Sequence, residues 1–280
     1  MEVAVIGGRG FVGREVTRKL REEHDVTTLD PKVGGKHHIS TDITVSGSIK
    51  KALGKRDFDT VVNLAGLTPM KEPRGVSYGE VHSEGVKNVI DGCEAKGIER
   101  LVQMSALGAD PEAEMDYLRT KGEGKKKVLD SDLEVTVIEP SIIFDDGNEL
   151  VHQARMLAST RVFPHLKTRI QPVYRGDVAE LFRLSVEGEV GEEVVEAGGP
   201  DEMSLFEFVK KIYRSEGYRC HPLPFQTVMS LGLQITEFLP LVPYGVDQAR
   251  FLKFDNTTEE NDAEEYVVLR SVDRWLSEEF

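Results

Sequence analysis

Cysteine is scarce in this chain. Of 280 residues only Cys93 and Cys220 carry a thiol, too few for a disulfide framework or a zinc spacing, so a reducing cytoplasm is the expected compartment. Basic surplus is absent as well: 35 Lys and Arg face 49 Asp and Glu, for a net charge of −14. That balance excludes nucleic acid as a partner, because phosphate binding needs a basic surface. The seven histidines, His37 and His38 among them, form no H-E-x-x-H or other metal-ligand pattern, and no metal is expected. Long hydrophobic runs are missing too. The most apolar late stretch, 228–243, is short and broken by Gln234, Thr236, Glu237 and Pro240, which rules it out as a bilayer span. "MEVAVIGG" opens directly on a strand, leaving no room for a signal peptide in this reading.

What is present is a rhythm. The β-branched runs 3–6, 25–29, 59–65, 100–105 and 134–139 alternate with helical patterns around 11–22, 79–96 and 113–131. Strand–helix alternation predicts an α/β fold, a Rossmann-like doubly wound parallel sheet with helices on both faces. Past residue 145 prolines become frequent, and 205–213 and 225–239 read as separate amphipathic helices. The expected division is a nucleotide-binding domain over 1–150, with 172–187 packing back on it, and a smaller α+β substrate lobe over 151–280. The acidic run 256–265 reads as a solvated loop.

"VAVIGGRGFVGREV" places Gly7, Gly10 and Gly13 between a strand and a helix. The first glycine permits a tight turn, the second lets backbone approach a pyrophosphate, and the third allows close helix–strand packing. The helix start then offers N–H groups and partial positive charge to phosphate. Asp30 ends the next strand, where a carboxylate accepts from a ribose 2′-hydroxyl and repels a 2′-phosphate. It favours NAD, whereas Arg9 and Lys32 pull toward NADP. Asp42 is placed either to reach the adenine or to cap a turn. The small residues of "NLAGL", 63–67, would let a ribose and pyrophosphate lie against the strand end.

"GGRGFVGR", "NLAG", "MSALGAD", "YLRTKGEG", "EPSIIF", "QPVYRGDVAEL" and the tail "DQARFLKFDNTTEEND" together resemble the extended or atypical short-chain dehydrogenase/reductases. The resemblance is narrowest with the epimerase/dehydratase-like branch related to the 39-kDa accessory subunit of respiratory complex I. It implies a Ser–Tyr–Lys site of Ser105, Tyr117 and Lys121. Asn88 matches the helical asparagine of the extended pattern, and His82 stands where another asparagine is usual. The cofactor contacts expected are Gly7, Gly10, Phe11, Val12, Gly13, Asp30, Asp42, Ile43, Leu64, Ala65, Gly66, Tyr117, Lys121 and Pro140.

The chemistry is consistent. Residues i and i+4 share a helix face, so Lys121 can sit beside the Tyr117 phenol. A nearby ammonium favours phenolate, and Ser105 would hold a substrate oxygen. Gly122 and Gly124 weaken that helix, which implies close packing or cofactor approach there. The chain also departs from the family pattern. Glu139 stands for an arginine and Lys125 for a glutamate, an exchange that suggests a swapped pair, and Asp145 stands for a glycine. "SAL" replaces the threonine and Asp-Glu pair typical of sugar dehydratases. The reading is therefore an NAD(P)-dependent oxidoreductase acting on a small carbonyl or hydroxyl compound, as monomer or homodimer. The alternatives are a nucleotide-sugar epimerase, or a non-catalytic scaffold or assembly factor whose apolar stretch 225–243 meets a quinone or a membrane complex.

Overall fold

In the computed structural model the described residues are 1–31, 34–69, 75–224, 250 and 254–278. Lys32 and the expected helix and apolar surface over 225–243 lie outside them.

Seven parallel strands form the central sheet: β1 (Glu2–Ile6), β2 (Asp25–Asp30), β3 (His38–Ser40), β4 (Thr60–Asn63), β5 (Arg100–Met104), β6 (Glu134–Pro140) and an edge strand, Val194–Ala197. Their spatial order is the Val194–Ala197 strand, then β6, β5, β4, β1, β2, β3. The strands are apolar on both faces because both are covered. Val3, Val5, Val62 and Val102 pack with α1 (Phe11–Leu20) and α6 (Arg175–Glu187). Ala4, Ile6, Val61 and Leu101 face the opposite cluster. That second cluster contains α2 (Ser48–Leu53), α3 (Gly85–Glu94) and the end of α4 (Asp116–Leu129). Alternate residues of one strand thus feed two cores, each fully buried valine contributing roughly 1.5–3 kcal/mol.

The sheet does not stop at residue 150. Val194–Ala197 pairs with β6 in register, Glu196 beside Glu139, so the sheet and its helix layer take their last helix and strand from the later half of the chain. A third core joins Phe144, Phe163, Phe208, Tyr213 and Trp275 from α5 (Glu149–Leu157), α7 (Leu205–Ser215), the closing helix Val272–Glu278 and short strands between them.

The acidic run 256–265 is not a solvated loop. Asn256, Thr258 and Ala263 are buried. Asp262 accepts from Glu196 N at 2.8 Å and Asn261 from Gly198 N at 3.0 Å. Its polar side chains satisfy backbone donors along the sheet edge, which an exposed edge strand would otherwise present to other chains. Among the described residues no helix is long and apolar enough to cross a membrane, no group of side chains could hold a metal ion, and both cysteines are buried and unpaired.

Candidate nucleotide and catalytic site

The strand order reverses at β1 and β4, and a cavity of roughly 300 Å³ opens beyond their carboxyl ends. This is where open α/β sheets bind ligands. Gly7 takes φ +77°, and a Cβ there would stand 2.8 Å from Ala65 N. A Cβ on Gly13 would meet Gly7 O at 2.1 Å. The chain therefore needs glycine to bring the first loop against the β4 end. Helix α1 starts with no side-chain cap and no acidic residue in its first turn. Its open N–H groups and positive dipole end face the cavity through Phe11, Val12 and Gly13, a cradle suited to a pyrophosphate.

Ser105, Tyr117 and Lys121 reach the same cavity. Ser105 follows β5 and is 4% exposed; its Oγ lies near the Glu139 carboxyl but makes no hydrogen bond of regular geometry among the described residues. A buried hydroxyl left open in this way is suited to a ligand oxygen. Lys121 is 5% exposed and donates from Nζ to Met104 O at 3.2 Å. Burial lowers its pKa to about 8, with the Glu139 charge acting in the opposite direction. Burial raises the Tyr117 phenol, and Tyr78 adds to the shift. In the protein alone, then, desolvation sets the direction of the phenol's shift.

The Tyr117 ring meets Tyr78 and His82 edge-on, at centroid distances of 5.8 and 5.6 Å. His82 sits in a π-helical turn, Glu80–Glu84, that precedes α3, a local irregularity common at functional sites. Its Nε2 accepts from Leu67 N at 2.9 Å, and its Nδ1 lies 3.1 Å from Thr120 Oγ1. Thr120 Oγ1 in turn donates to Asp116 O at 2.8 Å. These bonds assign the neutral tautomer with hydrogen on Nδ1. Burial holds the pKa at about 2, aided by the Lys121 charge. His82 thus ties the loop after β4 to the helix carrying Tyr117 and Lys121. Gly122 and Gly124 on that helix answer to packing: a Cβ on Gly122 would stand 2.2 Å from Asp110 C, and one on Gly124 2.1 Å from His82 O.

Of the cofactor residues expected from the sequence, Gly7, Gly10, Phe11, Val12, Gly13, Leu64, Gly66, Tyr117, Lys121 and Pro140 line the cavity. Four do not. Asp30 is buried beside the glycine loop, its Oδ1 accepting from Arg9 N at 3.3 Å, while the Arg9 guanidinium donates to Gly34 O. Asp42 caps a turn, accepting from Thr44 N at 2.9 Å and Thr44 Oγ1 at 2.8 Å. Ile43 is buried, and its carbonyl accepts from Asn88 Nδ2 at 2.9 Å. Ala65 gives its N–H to Asn63 Oδ1 at 3.2 Å.

Sequence reasoning missed Met104, Leu107, Ile142, Ile143, Asn148, Leu205 and Asn256, which also line the cavity. The strand-end position of Met104 was a usable signal. Asn256 gave none: it enters from the acidic run, where its carbonyl and Oδ1 accept from Ser141 Oγ at 2.9 and 2.8 Å.

A doubly wound sheet with a glycine cradle at its switch point and a buried lysine beside a tyrosine defines a nucleotide-binding protein of the Rossmann class. Residues 7–182 match the NAD(P)H-binding family, and the chain belongs to it. It is similar to the NADH-ubiquinone oxidoreductase 40 kDa subunit of Neurospora crassa, 24% identical, over 75% of this chain and 59% of that one. It is also similar to the NADH dehydrogenase 1 alpha subcomplex subunit 9 of Arabidopsis thaliana, 25% identical, over 90% of this chain and 67% of that one. The chain thus spans about 59–67% of the length of these curated relatives. Among solved structures, UDP-glucose 4-epimerase of Thermus thermophilus with NAD shares the fold at TM-score 0.66 and 18% identity, covering 95% of this chain and 99% of that one. A dTDP-4-dehydrorhamnose reductase of Bacillus anthracis with NADP does so at TM-score 0.65 and 20% identity, covering 80% and 83%.

Proposed function

We propose that this NAD(P)-binding protein is an oxidoreductase that interconverts a carbonyl and a hydroxyl, with NAD favoured over NADP. The observation that carries the reading is the convergence of Ser105, Tyr117 and Lys121 on the cavity that also holds the glycine cradle. Gly7, Gly10 and the α1 start would hold the pyrophosphate, and Lys121 the nicotinamide ribose. The nicotinamide supplies the carbon that accepts or donates hydride. Ser105 Oγ holds the substrate oxygen by hydrogen bond, and Tyr117 exchanges a proton with that oxygen. The cationic Lys121 favours the phenolate form that takes the proton during oxidation.

Tyr117→Phe should leave NAD(H) affinity within about twofold while turnover falls by about 10²–10⁴-fold, since the proton is needed only as charge develops on the substrate oxygen. Lys121→Met should weaken both. A second reading, a nucleotide-holding subunit without turnover, is favoured by the names of the curated relatives. Under it the wild type binds NAD(H) but changes no nicotinamide absorbance with any carbonyl compound. Asp30 supports the cofactor preference: NAD(H) should bind more tightly than NADP(H), and Asp30→Ala should narrow the gap. An equal or reversed preference in the wild type would remove that part of the proposal.

A further inference from the structure

The wall of the cavity built after β6 is largely apolar, with Ser141, Asn148, Glu149 and Asn256 as its polar members. Ile142, Ile143, Leu150 and Leu205 form its apolar part, with Met104 and Leu107 from the β5 side. Among the described residues only two charged side chains line the whole cavity, Lys121 and Glu149. Lys121 is already engaged beside Tyr117 by the reading above. Arg175 lies near, its guanidinium 4.8 Å from the Phe11 ring centroid, but it is committed to Asp145 at 2.5 Å. Asp145 is one of the departures from the family pattern, and it pairs with this cation.

Helix starts are the other common source of positive potential, and here both on this wall are closed to an anion. Helix α5 begins at the cavity, yet Asn148 Oδ1 already accepts from Leu150 N and Val151 N at 2.8 and 3.2 Å, and Glu149 adds negative charge to the first turn. Helix α7 starts with a complete capping box between Ser204 and Glu207, again with an acid in the first turn. Each start has its donors satisfied internally and its dipole opposed by a carboxylate. A nucleoside diphosphate entering here would bring at least two negative charges to a wall with no free cation among the described residues, and would lose hydration without replacement.

We infer that this part of the cavity takes an uncharged, largely apolar ketone or secondary alcohol and is closed to nucleoside-diphosphate sugars. The inference deepens the oxidoreductase reading and rests on it for the carbonyl or hydroxyl group. The apolar character of the site stands on the wall alone.

The test is calorimetric binding of menthone, a decyl-substituted benzoquinone and UDP-glucose to the full chain, with and without saturating NAD(H). At least one of the two uncharged probes should bind about tenfold or more tightly than UDP-glucose in both states. Leu150→Lys should weaken that probe by about tenfold or more while NAD(H) affinity stays unchanged, since a charge then has to be desolvated at the wall. Retained NAD(H) binding also reports that the variant is folded. UDP-glucose binding as tightly as the uncharged probes overturns the inference, and so does indifference of the probes to Leu150→Lys. UDP-glucose binding that disappears in a Lys71→Ala/Arg74→Ala variant, two cations outside the described residues, overturns it equally. Failure of NAD(H) to bind wild type would defeat the oxidoreductase reading instead, and the probe ranking without cofactor would still decide the character of the wall.

Discussion

The Lys125 ammonium lies 3.0 Å from the Glu139 carboxylate. The two positions that the sequence suggested as a swapped pair therefore meet each other, one on α4 and the other at the end of β6. Glu139 is almost fully buried and Lys125 is 22% exposed. Burial raises the Glu139 pKa, and Lys125 and the nearby Ser105 hydroxyl work against that rise. The Glu139 charge also acts on Lys121, so the pair bears on the candidate site.

Removing one partner strands the other. Lys125→Met should destabilise the protein by about 2–4 kcal/mol in urea unfolding at neutral pH, because Glu139 stays buried without its counter-charge. Lys125→Met with Glu139→Gln should recover most of that loss. Because Glu139 has its pKa raised on folding, the Lys125→Met deficit should shrink as pH falls toward the carboxylate's ordinary value and the folded protein takes up the proton first. A deficit that grows on acidification would contradict the pairing.

Lys121 works against the stability of the cofactor-free protein. Below pH 8 the fold holds a buried charge that the unfolded chain would solvate. That penalty fades as pH climbs from about 8 toward the ordinary lysine value of 10.5. Lys121→Met should therefore raise stability at pH 7 by about 1–2 kcal/mol, with the gain disappearing in alkaline unfolding curves. Met104 O keeps a donor in this variant, Gln103 Nε2 at 2.8 Å.

Helix propensity and packing make opposite predictions at Gly124. Propensity alone gives Gly124→Ala a gain of about 1 kcal/mol. The added methyl would stand 2.1 Å from the His82 carbonyl, so the expected result is a loss of about 2–4 kcal/mol, read from the urea midpoint. Gly97→Ala makes no useful control, since that residue has φ +66°. Gly79→Ala, whose Cβ position meets nothing within 4 Å, is the better one.

His82 should not titrate in the accessible range. With its pKa at about 2, nitrogen NMR should report one neutral tautomer, hydrogen on Nδ1, unchanged from pH 8 down to about pH 4. His82→Ala should cost about 1–3 kcal/mol by leaving Leu67 N without its acceptor.

Much of this architecture is legible in the amino-acid order because its signals are local. Alternating apolar runs mark β1, β2, β4, β5 and β6, and three glycines mark the cradle. Lys121 and Tyr117 are fixed by one helical turn. What sequence alone hides is assigned by distant partners. Val194–Ala197 reads as an ordinary lobe segment until β6 is seen beside it. Asn256, Asn261 and Asp262 read as solvated acid-run residues because their roles depend on backbone donors that no local pattern reveals. Asp42 left two readings open, and the structure shows the turn cap. Glu139 and Lys125 announced themselves only as paired departures, and the structure places them 3.0 Å apart.

The bond from Ser141 to Asn256 spans 115 residues, and it has a consequence for synthesis. The cradle can form as soon as β1, α1 and β4 have emerged, early in translation. The cavity wall at Ser141 is finished only after residue 256 has cleared the ribosomal exit tunnel. During the interval the nascent chain carries an incomplete pocket with apolar residues open to water, at the slow translation rates of about 5–20 residues per second. Completion of the cavity wall is therefore a late step in synthesis, and chaperone dependence should concentrate in that window.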